Sequence, residues 1–290
     1  MRSARVKTKK MSKNQSRISV ADIKDHKNKA EPLVCLTAYT APMAEILDPH
    51  CDLLLVGDSM GTALYGMENT LGVTLDMMIA HTKAVMRGST RAFILADMPY
   101  GTYEDSPKAA LENAKRLMGE TGCSAVKLEG DGSLAPTVEL LVANDIPVIA
   151  HIGLRPQMVV KEGGYKIKGK TDEQAKALLD DAKRFEQSGA FCILIEGTIE
   201  PVSSMITNEI TLPTIGIGAS PACDGQILVI DDMLGMLSAR PPKFVKQYGD
   251  LKSDIGAMAA AYAAEVRARS FPAAEHVYTL KAAAPISKAS

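Results

Sequence analysis

The sequence predicts a single-domain α/β fold, a (β/α)8 TIM barrel with a basic N-terminal tail and an Ala-rich C-terminal tail. Three observations support this: short apolar runs rich in β-formers, longer helical patterns between them, and polar residues recurring where the runs end. The runs are 33–37, 53–57, 93–97, 125–129, 147–151, 191–196 and 213–218. Their apolar residues are continuous and do not alternate with polar ones, as in parallel strands covered on both faces. The segments 74–87, 106–120, 134–143 and 171–188 carry helical spacing. Thr171 followed by Asp172 and Glu173 predicts a helix start, and Gly189 a stop.

The eighth strand has two candidates, 226–230 and 243–246. Few residues separate Gly218 from Ile227, and a parallel crossover usually takes about a dozen. Ile227, Ile230, Leu234 and Leu237 also repeat at helical spacing behind a potential cap, Asp224. The expectation is therefore a helix over 224–238, the last strand at 243–246 and a closing helix over about 250–269. The barrel domain then spans 18–270, between tails 1–17 and 271–290.

Composition narrows the function. The 290 residues exceed the roughly 250 that such a barrel commonly needs. A net charge of -1 gives no field favouring nucleic acid, and no apolar stretch reaches the roughly 18 residues of a membrane span, so a small-molecule partner is expected. Five cysteines without a C-x-x-C pair read as buried thiols in a reducing compartment, which predicts a cytoplasmic protein. The acid-free basic start, residues 1–17, lacks the apolar block of a secretory signal, and organelle targeting is its alternative reading.

Catalytic groups of such barrels stand at the C-terminal ends of the strands. There the runs end in Asp58-Ser59, Asp97, Lys127 with Glu129, His151 and Glu196. Two carboxylates on adjacent strands, Asp58 and Asp97, suit a hard cation such as Mg²⁺, which keeps coordination sites for water or substrate oxygens. An α-keto acid would fill two of those sites, the cation would stabilise its enolate, and Glu196 would serve as the base. Lys127 would neutralise the substrate's charge, and Glu129 would orient metal-bound water. Taken singly, each residue has a plainer reading: Asp58 as a turn or cap residue, Lys127 and its acids as a salt bridge, His151 as a structural histidine. Their convergence on one mouth favours a site. Segment 163–169 lacks the G-K-[ST] of a phosphate loop and reads as a hairpin or lid, and Gly216-Ile217-Gly218 lacks the full dinucleotide fingerprint.

Around these residues the chain resembles the ketopantoate hydroxymethyltransferase family from about residue 18 to 269. The resemblance runs in order through Leu36-Thr37-Ala38-Tyr39, Leu55-Val56-Gly57-Asp58-Ser59, Val73-Thr74-Leu75, Ala96-Asp97-Met98-Pro99-Tyr100, Val126-Lys127-Leu128-Glu129-Gly130, the block from His151 to Gln157, Gly163-Gly164-Tyr165 and Asp224-Gly225-Gln226. It implies transfer of a one-carbon unit from 5,10-methylenetetrahydrofolate to 3-methyl-2-oxobutanoate, giving 2-dehydropantoate in pantothenate biosynthesis, with Mg²⁺. It also implies Asp58, Asp97 and Glu129 at the metal, Asp58, Ser59, Asp97 and Lys127 on the keto acid, Glu196 as proton acceptor, His151 near the site, and a homo-oligomer, often a decamer. The sequence departs from the family at Thr40, at Gly72 and in Ser220-Pro221-Ala222, none of them a metal or proton-transfer position. The alternatives are a metal-dependent keto-acid lyase or mutase of the phosphoenolpyruvate type, and a non-catalytic folate-binding barrel. The absence of a Cys-Gly-His loop argues against isocitrate lyase, and the retained Asp58, Asp97, Lys127 and Glu196 argue against a mere scaffold.

Overall fold

Eight parallel strands pair in chain order and close: β1 (Leu33–Thr37), β2 (Leu53–Val56), β3 (Phe93–Asp97), β4 (Ala125–Glu129), β5 (Val148–Gly153), β6 (Cys192–Glu196), β7 (Thr214–Ile217) and β8 (Gly225–Leu228). The computed structural model describes residues 16–237 and 241–279, so the expected tails lie mostly outside the described residues. Arg17, placed by sequence in the N-terminal tail, donates to the carbonyls of Ser89 and Ala92 at 2.7 and 2.6 Å.

The strands sort their side chains by alternation. One set faces helices such as Leu75–Gly88, Pro107–Thr121 and Asp172–Gln187 and forms the outer core. These helices start as their sequences predict: the hydroxyls of Thr74, Ser106 and Thr171 accept from backbone N–H groups three residues on, at 3.2–3.3 Å. The helix Asp172–Gln187 ends just before Gly189.

The other set fills the barrel. Leu33, Leu53, Phe93 and Phe191 pack its base, where Ile23 of the N-terminal helix Val20–Lys24 joins them fully buried. Two positions further along a strand, the same inward row changes character. Leu95 is followed by Asp97, Ile149 by His151, and Leu194 by Glu196, while β4 sends Ala125, Lys127 and Glu129 into one row. The barrel is thus apolar at its base and charged at its mouth.

The eighth strand is not where the sequence places it. β8 is Gly225–Leu228, and the expected strand 243–246 is irregular chain. The crossover argument fails because β7 is only four residues long. Its return path is about 13 Å at 3.3 Å per residue, well within the roughly 23 Å reach of residues 218–224, so no helix is needed. The expected helix over 224–238 shrinks to Ile230–Met233, because Ile227 faces the barrel interior and not a helix stripe; Ser238 lies outside the described residues. Phe244, assigned by sequence to the last strand, instead lays its ring over Gly218. A Cβ there would meet the ring at 2.7 Å, and the backbone φ of +59° suits glycine in any case.

The closing helix Leu251–Arg267 forms as expected but buries none of its residues. Ile255, Met258, Tyr262 and Val266 lie at helical spacing and are 42–66% exposed. On the barrel flank, Val34 of β1 and its register partner Gln226 of β8 are also exposed. No described helix is long and apolar enough to cross a membrane.

Candidate active site

The structure brings every site residue expected from sequence to the C-terminal mouth. Asp58, Ser59, Asp97, Lys127, Glu129, His151 and Glu196 all line one cavity of about 780 Å³, counted out to its opening. Asp58 follows β2, and its backbone N–H donates to Asp97 Oδ2 at 3.0 Å, tying two carboxylate residues of adjacent strands together. The plainer reading of Asp58 as a helix cap fails. The helix Met60–Ala63 has Ser59 at its cap position without a side-chain bond, and the Asp58 carboxylate turns instead toward Gln157 Nε2 at 2.8 Å. Ser59 Oγ lies 2.9 Å from Tyr39 Oη.

Lys127 occupies the centre. Its Nζ is 3.1 Å from Asp97 Oδ1, 3.6 Å from Glu129 Oε1 and 3.1 Å from His151 Nδ1, and the residue is 3% exposed. Register explains the meeting, since Asp97 pairs with Lys127 across β3 and β4, and Glu129 with His151 across β4 and β5. Burial would strip the ammonium of its proton, but Asp97, Glu129 and Asp58 outweigh burial and hold its pKa above the usual value.

The carboxyls respond differently to the same surroundings. Burial raises Asp58, with Asp97 and Glu129 adding to the rise, and burial also lifts Asp97 despite the pull of Lys127. Glu129 goes the other way: burial is overcome by the positive charge beside it, His151 when protonated and Lys127, and Gln157 N donates to its Oε2 at 3.0 Å. Glu196 is pushed up to about 8, first by burial and then by Glu129. His151 is held below its ordinary value by burial and by Lys127, so its imidazole is neutral. An ammonium can only donate, so Nδ1 accepts from Lys127 and the ring proton sits on Nε2. That atom is buried without a hydrogen bond and faces Glu196 Oε2 at 3.4 Å.

Four carboxyls share a buried mouth with one ammonium and a neutral imidazole; with Asp58, Asp97 and Glu196 all raised, protons balance the charge, and a divalent cation would take their place. Asp97 Oδ1 is buried and accepts no well-directed hydrogen bond, its contact being the ion pair with Lys127. Asp58 and Asp97 thus fit a hard divalent ion that retains water. Among the described residues no three His, Cys, Asp or Glu side chains stand ready to hold a metal by themselves, and Glu129 is turned toward Lys127, His151 and Gln157.

Sequence reasoning missed Gln157, Tyr103, Tyr39 and Phe244. Tyr103 Oη lies 3.0 Å from the Glu129 carbonyl oxygen and donates to Gln157 Oε1. Tyr103, Gln157 and Phe244 come from connections, which have no strand register to place them; the one available signal was the position of Gln157 at the end of the block beginning at His151. Tyr165 of the expected lid lines the cavity, while Lys168 forms a single bridge to Thr198 and no hairpin.

Gly153 ends β5 with φ +94°, and a Cβ there would come 2.2 Å from the carbonyl oxygen of Glu196. The two strand ends approach this closely because nothing projects between them. Gly153→Ala should lose well over about 1 kcal/mol in urea unfolding and lower kcat by displacing Glu196; wild-type values for both would refute the close-approach argument.

The model of the family described as ketopantoate hydroxymethyltransferase matches residues 17–274. The 3-methyl-2-oxobutanoate hydroxymethyltransferase of Agrobacterium fabrum is 53% identical over 94% of this chain and 98% of its own. That of Mesorhizobium japonicum is 59% identical over 86% and 87%. Among solved structures, a phosphonopyruvate hydrolase in complex with oxalate and Mg²⁺ superposes with a TM-score of 0.57 at 10% identity, covering 90% of this chain and 92% of that one. A 2,3-dimethylmalate lyase gives 0.55 at 17% identity, covering 86% and 87%. At such identities these two structures bear on the fold alone.

Proposed function

The chain belongs to the ketopantoate hydroxymethyltransferase family, and we propose that it transfers a hydroxymethyl group from 5,10-methylenetetrahydrofolate to 3-methyl-2-oxobutanoate, forming 2-dehydropantoate for pantothenate biosynthesis. The carrying observation is the buried pair Asp58 and Asp97, tied at 3.0 Å, with the raised carboxyl of Glu196 in the same mouth. Asp58 and Asp97 would hold Mg²⁺. When bound, that ion supplies positive charge that draws electrons from a keto acid's carbonyl and acidifies the neighbouring C–H.

The chain's own groups do the rest. Glu196, once ionised, accepts the C3 proton, and its raised pKa makes it a stronger base than a solvated carboxylate. Lys127 faces the substrate's anionic oxygens, Ser59 contacts the keto acid beside Asp58, and His151 presents Nε2 to Glu196 and steadies it. Glu129 holds Lys127 by its ion pair and would serve the metal site by orienting water there. Leu55, Leu194 and Ile217 give the cavity an apolar wall suited to the branched alkyl group. No observation favours a lyase, a mutase or a folate-binding scaffold over this reading. All five cysteines are buried and unpaired, which supports a cytoplasmic setting.

The apolar face of Leu251–Arg267 and the bare flank at Val34 and Gln226 support a homo-oligomer, a decamer by family resemblance. Replacing Met258 and Tyr262 together by Glu should give smaller particles in sedimentation velocity; an unchanged size would reject this face as an interface.

Protein supplied with Mg²⁺, 3-methyl-2-oxobutanoate and methylenetetrahydrofolate should form 2-dehydropantoate, and EDTA should stop it until Mg²⁺ is restored. Folded, metal-supplied protein that forms no product would end the proposal.

Exchange of the keto acid's C3 hydrogen with solvent isolates the base. The carboxyl is raised, so its proton-accepting form fills as pH climbs through about 8 and empties below, and exchange should rise with pH across that span. Glu196→Gln should slow exchange by roughly 10²–10⁴-fold and flatten the profile while still binding keto acid. Wild-type exchange in that variant would remove Glu196 from the role.

A further inference from the structure

Gln157 belongs to the short turn Pro156–Met158 that follows β5, yet its contacts lie on the ends of other strands. The residue is 3% exposed. Its Nε2 donates to Asp58 Oδ2 at 2.8 Å and to the carbonyl oxygen of Met98 at 3.1 Å, beyond β2 and β3 respectively. Its backbone N–H donates to Glu129 Oε2 at 3.0 Å on β4. Its Oε1 accepts from the Tyr103 hydroxyl, which also receives the Glu129 N–H at 3.3 Å.

We infer that Gln157 is a positioning residue for the divalent-cation site: it fixes the rotation of the Asp58 carboxylate, and Tyr103 fixes the amide that does so. The inference rests on the reading of Asp58 and Asp97 as metal ligands. The amide has one workable orientation, because flipping it would set Oε1 against the Met98 carbonyl oxygen, which cannot donate, and against Asp58 Oδ2. Tyr103, whose hydroxyl lies between Gln157 Oε1 and the Glu129 carbonyl oxygen, buttresses the amide, and the amide orders Asp58. With Oδ2 engaged, Oδ1 is left as the oxygen for a cation, and the carboxylate cannot swing to pair with Lys127. The same residue holds Glu129 from its main chain, so one turn sets the direction of two acids on different strands. Partners of this kind typically tune metal affinity by about 10–100-fold.

The test measures Mn²⁺ binding by calorimetry on the full-length protein, together with the thermal midpoint and turnover. Gln157→Met should raise the Mn²⁺ dissociation constant about 10–100-fold, with turnover largely restored at saturating metal. Tyr103→Phe, which keeps the amide but releases it, should weaken binding several-fold in the same direction. A merely structural Gln157 would lower the thermal midpoint and leave the Mn²⁺ affinity of the folded protein at the wild-type value, and that result overturns the inference. If Gln157→Met does not fold, Tyr103→Phe decides: unchanged affinity there overturns it equally. Asp58→Asn is the control for the underlying reading. If it binds Mn²⁺ like wild type, or if wild type binds none, the metal assignment itself has failed and the inference falls with it; Asn-disabled binding with wild-type affinity in folded Gln157→Met convicts the Gln157 step alone.

Discussion

The ammonium of Lys127, 3.1 Å from Asp97 and from His151 and 3.6 Å from Glu129, is the contact around which the mouth of the barrel is arranged. Desolvating several carboxylates in one place is costly, and each would take up a proton unless positive charge stood beside it. Lys127 meets that demand in part, and its effects differ by neighbour. It draws Asp97 and Glu129 toward ionisation, adds to the burial that holds His151 down, and only partly offsets the burial that raises Glu196. A set of similar acids thereby becomes a set with distinct tasks. Glu129 is held ionised, while Glu196 keeps its proton up to about pH 8.

Strand register determines which groups meet. Asp97 and Lys127 are direct partners across one strand pair, Glu129 and His151 across the next, and Gly153 and Glu196 across the third. Each strand also carries an apolar residue two positions earlier on the same inward row, as Leu95 precedes Asp97 and Leu194 precedes Glu196. The packed base therefore fixes the polar mouth through the backbone itself. Such placement is stiffer than a loop would give.

This dependence on alternation explains what could be read from the chain alone. β1 to β7 are continuous apolar runs, and residues at their ends must face the mouth, so Asp58, Asp97, Lys127, Glu129, His151 and Glu196 were legible from periodicity. The substrate and the one-carbon donor came from family resemblance, since strand ends say nothing of either. β8 was not legible. Gly225 to Leu228 is short, and Ile227 has the same spacing to Ile230 and Leu234 that a helix face would have. A rule calibrated on longer strands then excluded a crossover that a four-residue β7 allows. Gln157 and Tyr103 escaped for another reason: they reach the site across three strand ends from connecting segments, a distance in sequence that no local pattern encodes.

Ile23, packed with Leu33, Phe93 and Phe191, gives the barrel a solid floor. The polar chamber therefore lies at the mouth, away from that floor, and Tyr165 and Phe244 help to line it. A chamber closed at its base imposes a sequence on its visitors. Whatever lies deepest arrives first and departs last, so on the proposed reading a small keto acid near the two aspartates would precede a bulkier folate, and the lengthened acid would leave after it. The order in which two substrates would enter is thus tied to the packed floor, to which a five-residue helix at the opposite end of the barrel contributes Ile23.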